Sequence, residues 1–338
     1  MAASLESSPD NRLDFFNEQK LPAVIAASKG ESLLELLNNS AQALSAIQRR
    51  YGAILFRGFG LRNAEDFHAA AARCFAGTLR PYLGGVSPRA QIRSGVYEST
   101  RIPSYLRITL HNEMSYLPDP PLALAFFCEV EPSHGGETPL ADSRAIYQRI
   151  PAPIRARFET HGVRYHRHLY GPRWYSPTRA FSRILELHAS WTTAFSTDDR
   201  SQVERVCAQQ GATVRWNWEG SALVTNTLPG VREHPETGEK VWFNHVSTFV
   251  ATPRTAGLSR WLLYHAGFPS PRSRPFHATL GNGDPFRLAE LDCINDAMDS
   301  ATVKFRWQRG DLLFVDNFLV AHGRMPFRGQ RRILVAIH

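Results

Sequence analysis

The segment GDLLFVDNFLVAHGRMPFRGQRRILVAIH, Gly310 to His338, decides how the chain is read. Leu312 to Val315 is a short apolar run and reads as a strand. Asp316-Asn317 is a turn pair, His322 follows it, and ten residues later Arg332 opens a final apolar strand that runs to Ile337. A second segment, LHNEMSY (Leu110 to Tyr116), sets His111 and Glu113 two residues apart. Alternation along an extended chain sends residues i and i+2 to one face, so a strand ending near His111 offers both side chains to one ion. HxE alone is a weak signal, and a solvated strand end is its bland reading. Joined to His322 it gives two imidazoles and a carboxylate, the facial triad of non-haem iron(II) sites with open coordination positions. A 2-oxo acid fills two of those positions and leaves one for O₂, which a closed four-ligand site does not permit. The far carboxylate of such an acid needs a buried cation. A planar guanidinium that stays charged suits it, and Arg332 is the expected residue, with Arg331 facing the other way into solvent.

Outward from these segments the chain is mixed. The spacing predicts a helix over 31–50 closed by Gly52, a buried strand from Ala53, and a second helix capped by Asn63. Strands are expected over 107–111, 122–130, 303–307, 312–315 and 332–337. Asp142 caps a short helix that Pro151 ends. Residues 165–200 read as irregular, with helix resuming near Thr197. Thr213–Trp218 and Ala222–Thr227 form a strand pair. HPETGE (His234 to Glu239) is a turn between extended segments, and helices are expected near 256–266 and 286–299. There is no GxGxxG after a strand and no Walker loop. The expected class is α+β with a mainly β core: a double-stranded β-helix, the jelly roll of cupins, buttressed by helices. It is expected to form one domain over 1–338, with insertions at about 143–210 and 250–300 around the core.

Composition narrows the partners. The 338 residues are 43% hydrophobic and 21% charged, which is ordinary globular material. No apolar run is long enough to span a membrane, and the N-terminus lacks a secretory pattern, so a cytoplasmic protein is expected. Cys74, Cys128, Cys207 and Cys293 are far apart, which suits a reducing compartment and excludes a thiolate zinc cluster. The net charge of +8 comes from scattered arginines with no basic stripe, so no nucleic-acid partner is expected.

HxE, the GGET of Gly135 to Thr138, the late HGR of His322 to Arg324 and the RR strand together resemble the taurine dioxygenase and clavaminate synthase-like superfamily. The closer likeness is to syringomycin-type aspartyl hydroxylases. It runs from about Ala53 to the C-terminus and is densest at 108–144, 232–247 and 309–337. The resemblance implies His111, Glu113 and His322 as iron ligands, with Arg332 and Thr138 on the distal carboxylate of 2-oxoglutarate. Read without it, GGET is a glycine turn entering a strand. Most relatives carry aspartate where this chain has Glu113; halogenating relatives carry glycine or alanine, so Glu113 implies an oxygenase.

The implied activity is hydroxylation of an unactivated C–H bond in an amino acid or derivative, with release of succinate and CO₂, in natural-product biosynthesis. Desaturation, epoxidation or cyclisation by the same centre are alternatives, as is a non-redox zinc hydrolase or a docking protein. An acidic carrier protein bearing the substrate is a candidate partner for the basic surface. Candidate substrate residues are Arg107, Thr109, Asn112, Tyr116, Asn244 and His245. The aromatic stretch His166 to Tyr175 is expected as a lid or an arginine-stacked surface loop. His166 and His168 form an HxH pair with no matching carboxylate, so no second metal is expected there.

Overall fold

Six of the eight residues in the Ala123–Val130 strand are buried, because the strand is paired on both edges and covered on both faces. Its neighbours, Leu312–Asp316 and Arg332–Ile337, run antiparallel to it. The structure is a computed structural model and describes residues 9–77, 79–82, 90–99, 102–171 and 189–338. Among these the large sheet has eight strands, continuing outward through Ala53–Arg57, Ala23–Ala26 and Leu13–Phe15 on one side and Val96–Glu98 and Gln91–Arg93 on the other.

Alternation divides the central strands between two cores. Ala125, Phe127, Leu312, Phe314, Leu334 and Ala336 pack on the N-terminal helices Leu33–Asn39, Ala41–Tyr51 and Ala64–Cys74. Leu124, Phe126, Cys128, Leu313, Val315, Ile333 and Val335 share the other core with a second sheet, ordered Thr302–Phe305, Thr138–Asp142, Val320–Arg324, Ile108–His111. The first three of these four strands, with Leu110, contribute to that core, so the space between the two sheets is where inward polar side chains meet. The fold is mixed and mainly β, as expected.

The helix expected over 31–50 is two helices meeting at Ser40, whose φ of −123° leaves the helical region after the poorly helix-forming pair Asn38-Asn39. Gly52 closes the second helix in the left-handed conformation, and Asn63 caps the next by accepting from the backbone N–H groups of Glu65 and Asp66.

The larger departure is at 165–200. Val163–Leu169 is a seven-residue strand at the heart of a third sheet, between Ala222–Leu228 and Phe276–Leu280, with Thr213–Trp216 at its edge. Val163, Tyr165 and Leu169 are buried with the fully buried Arg167, and the arginines and histidines between them mask the alternation. His166 and His168 therefore sit in a strand and not in a lid; 172–175 lie outside the described residues. The sheet draws on both expected insertions and on 213–228 between them.

A Cβ on Gly52 would lie 2.4 Å from Val320 Cγ2, and φ there is +78°. Gly52→Ala thus combines left-handed strain with overpacking. It is expected to lower stability by about 2–4 kcal/mol, read as a reduced urea midpoint with unchanged m.

Candidate metal centre

His111 and His322 are direct cross-strand partners in the small sheet. Residues so paired in an antiparallel ladder project to the same face, with Cβ atoms about 5 Å apart. Their rings lie 4.7 Å apart between centroids. His322 also packs 5.2 Å from Phe126 of the large sheet, so its imidazole lies between the two sheets. Past His111 the chain leaves the ladder; Glu113, two residues on, reaches the same site, and the chain then turns at Met114, whose φ is 54°. Glu113 Oε2 stands 3.8 Å from His322 Nε2, and ligand atoms of the three side chains all lie within 4.8 Å of one another. Among the described residues no other group of His, Cys, Asp and Glu is arranged to hold an ion.

The donors suit iron. His111 Nδ1 is 2.9 Å from the Thr109 carbonyl, which accepts its N–H and makes Nε2 the nitrogen that carries the ring's lone pair. Two imidazoles and one carboxylate could supply three protein ligands and would leave positions for a chelating co-substrate and O₂.

The remaining expected residues separate into groups. Thr138 is buried, and its Oγ1 accepts from Trp307 Nε1 at 2.9 Å, leaving the hydroxyl proton to donate elsewhere. His245 and Tyr116 line the same wall. His245 stands 5.1 Å from the His111 ring and 5.0 Å from Tyr116, with Nδ1 2.7 Å from Ser115 Oγ. Burial first, and the neighbouring histidine second, push His245 well below the ordinary histidine range and keep it neutral. Arg107 is half-exposed and paired with Asp299 at 3.1 Å, and Thr109 Oγ1 meets Thr248 Oγ1 near the surface. Asn112 points away from the triad, donating to Ser143 Oγ and the Asn317 carbonyl. Asn244 donates to the Gly230 carbonyl and accepts from Val246 N–H, so its side chain is spent on the backbone turn before His245.

One orientation is the reverse of the expectation. Arg332 pairs with Glu129, and its side chain is 40% exposed. Arg331 is half-buried, with Nε donating to the Gly136 carbonyl at 3.1 Å and its guanidinium 5.6 Å from the Phe327 ring centroid. Burial and the nearby Arg324 guanidinium bring Arg331 down to about 10, and among the described residues no carboxylate pairs with it. A register shift between Arg332 and Ile333 breaks the strand's alternation at this point, so the two arginines do not follow the inner and outer sides that Ile333, Leu334 and Val335 mark out. Sequence reading also missed Asn317, which holds the Glu113 backbone, and Arg167, fully buried with its guanidinium 5.4 Å from the Tyr116 ring.

Two histidines and a carboxylate between the sheets of a mainly β fold define the class: a mononuclear iron(II) and 2-oxoglutarate-dependent dioxygenase. The family model described as taurine catabolism dioxygenase TauD, TfdA family matches residues 17–338, and the chain belongs to that family. A clavaminate synthase-like protein of Arabidopsis thaliana is 31% identical over 301 residues, covering 87% of this chain and 83% of the relative. The dapdiamide synthesis protein DdaC of Enterobacter agglomerans is 29% identical over 314 residues, covering 93% and 89%. Among solved structures, AAD-2 in complex with Mn(II) and N-oxalylglycine aligns at a TM-score of 0.53 with 16% identity, covering 96% of this chain and 95% of that one. No helix among the described residues is long and apolar enough to cross a membrane.

Replacing Asn244 with Ala strands the buried Gly230 carbonyl and the Val246 amide. Asn244→Ala is expected to cost about 1–3 kcal/mol in urea denaturation, the penalty of unmade buried hydrogen bonds.

Proposed function

We propose that His111, Glu113 and His322 hold the iron(II), that Arg331 with Thr138 receives the distal carboxylate of 2-oxoglutarate, and that the substrate is an amino acid or a derivative of one. The observation that carries the reading is the convergence of the three candidate ligand atoms within 4.8 Å, with Arg331, held by the Gly136 carbonyl two residues before Thr138, lacking an acid partner among the described residues. The two facing sheets are read as the halves of a double-stranded β-helix, and the whole chain as one domain. When bound, iron with 2-oxoglutarate supplies the activation of O₂ coupled to release of succinate and CO₂.

The protein's own groups do the rest. Arg331 offers a fork to a carboxylate, and the Gly136 carbonyl fixes its Nε so that the remaining N–H groups point onward. Gly136 is needed for this approach: a Cβ there would meet Arg331 Cδ at 3.1 Å and Phe327 Cβ at 3.0 Å. Thr138 adds a hydroxyl donor. Neutral His245 and Tyr116 form the wall nearest His111, and Arg167 brings positive charge behind Tyr116. An amino-acid carboxylate directed toward that charge suits this wall. Arg107 and Thr109 belong to the rim, while Asn112 and Asn244 serve the scaffold.

DdaC, named for dapdiamide synthesis, supports a biosynthetic role with hydroxylation as the outcome, and the net charge of +8 is compatible with an acidic carrier protein presenting the substrate. The free cysteines suit a cytoplasmic location. A zinc hydrolase has no use for Arg331.

Anaerobic titration of the metal-free protein with iron(II) and 2-oxoglutarate is expected to raise a visible charge-transfer band that His111→Ala abolishes. In the same assay Arg331→Gln should raise the 2-oxoglutarate concentration needed by about ten- to a hundredfold, the loss of a charge-assisted bond, with Arg332→Gln near wild type. The opposite ranking would reverse the assignment of the pair. For the substrate, succinate release should rise at least tenfold above the uncoupled rate with an amino acid, free or as a carrier-bound thioester; a response confined to sulfonates would overturn the amino-acid reading.

A further inference from the structure

Asn317 is fully buried and lies five residues before His322, in the loop that starts the strand carrying that ligand. Its side chain is committed to the opposite side of the site. Oδ1 accepts from the Glu113 N–H at 2.7 Å, and Nδ2 donates to the Glu113 carbonyl at 2.9 Å and to the Pro121 carbonyl at 2.7 Å. One amide therefore satisfies both backbone groups of one ligand residue. The contact is returned, since Asn112 Nδ2 donates to the Asn317 carbonyl at 2.7 Å. The two asparagines bridge the HxE turn and the turn before His322 across 204 residues of chain.

The loop is itself braced. Asp316 Oδ1 accepts from Phe318 and Leu319 N–H, its Oδ2 accepts from His234 Nε2 at 2.9 Å, and its own N–H donates to the Gly52 carbonyl at 2.8 Å. On the other side, Met114 holds φ 54°, a conformation that costs a non-glycine residue energy and persists when its surroundings over-determine it. Glu113 belongs to no strand, so no ladder fixes its backbone. The Asn317 amide supplies the ladder that is missing.

We infer that Asn317 is a positioning residue that presets the Glu113 carboxylate against His322 before metal arrives, with Asn112 completing the clamp. The inference rests on the reading of His111, Glu113 and His322 as metal ligands. Groups behind a metal ligand commonly change affinity ten- to a hundredfold when removed. The clamp acts on the backbone of the carboxylate ligand, and the amide's shape matters as well as its polarity: an aspartate at 317 keeps one acceptor and loses both donors.

The test is equilibrium binding of Co(II), followed by its visible d–d absorption, to metal-free wild type, Asn317→Ala, Asn317→Asp, Glu113→Ala and a remote core variant, Phe67→Leu. Both Asn317 variants are expected to bind about tenfold or more weakly and to alter the d–d envelope, while Phe67→Leu lowers the melting temperature without weakening Co(II). Wild-type affinity in a folded Asn317 variant, with Glu113→Ala weakened, overturns the clamp alone. Wild-type affinity in Glu113→Ala as well overturns the metal-site reading beneath it. A measurement on the wild-type protein serves if neither Asn317 variant folds. In metal-free protein the Glu113 amide should exchange with deuterium as slowly as the amides of the Val320–Arg324 strand, and exchange at loop rates would sink the proposal.

Discussion

The pairing of His322 opposite His111 in one antiparallel ladder is the constraint on which the site depends. A ladder fixes the separation and direction of two side chains to within a fraction of an ångström without any bond between them, and it does so with backbone groups that must pair in any case. Glu113, the third member of the candidate triad, lies just beyond the ladder, next to Met114, which turns left-handed. Much of the polar hardware around the site serves this one transition from strand to turn: Asn112 and Asn317 on the backbone, Ser143 behind Asn112, and Ser115 reaching His245.

The large sheet has a different task. Its central strands are covered on both faces, by helices on one side and by the sheet that carries His111 and His322 on the other. That arrangement removes water from the space around His322, where a charge left without a partner is costly. His245 feels this as an inability to hold a second proton. Neutral imidazole and carboxylate then meet in a poorly solvated volume, in which electrostatic interactions are stronger than in water.

That His111, Glu113 and His322 come together as a candidate triad was legible because their spacing is local or sits beside strong strand signals: His111 and Glu113 two apart, His322 after an Asp-Asn turn. The choice between Arg331 and Arg332 was not. Ile333 to Ile337 is buried on both faces, so its sequence carries no alternation from which to tell inner from outer, and a register shift between Arg332 and Ile333 interrupts the count as well. Val163–Leu169 was hidden for the opposite reason. Arg167 and His168, which sequence patterns assign to solvent, are buried there. Asn317 could not be found at all from pattern, since its partners are the backbone of Glu113 and Pro121, remote in sequence and identical in chemistry to any other peptide groups.

Gly52 connects the strand that carries His322 to the N-terminal helices. The helix Ala41–Tyr51 ends on it, its α-carbon has no room for a methyl against Val320, and its carbonyl receives the N–H of Asp316. The N-terminal helices are therefore not an accessory layer that a shorter relative could shed or a chimera could exchange freely. A transplanted N-terminal segment has to reproduce one glycine contour at one position, or it displaces the loop from which His322 is hung.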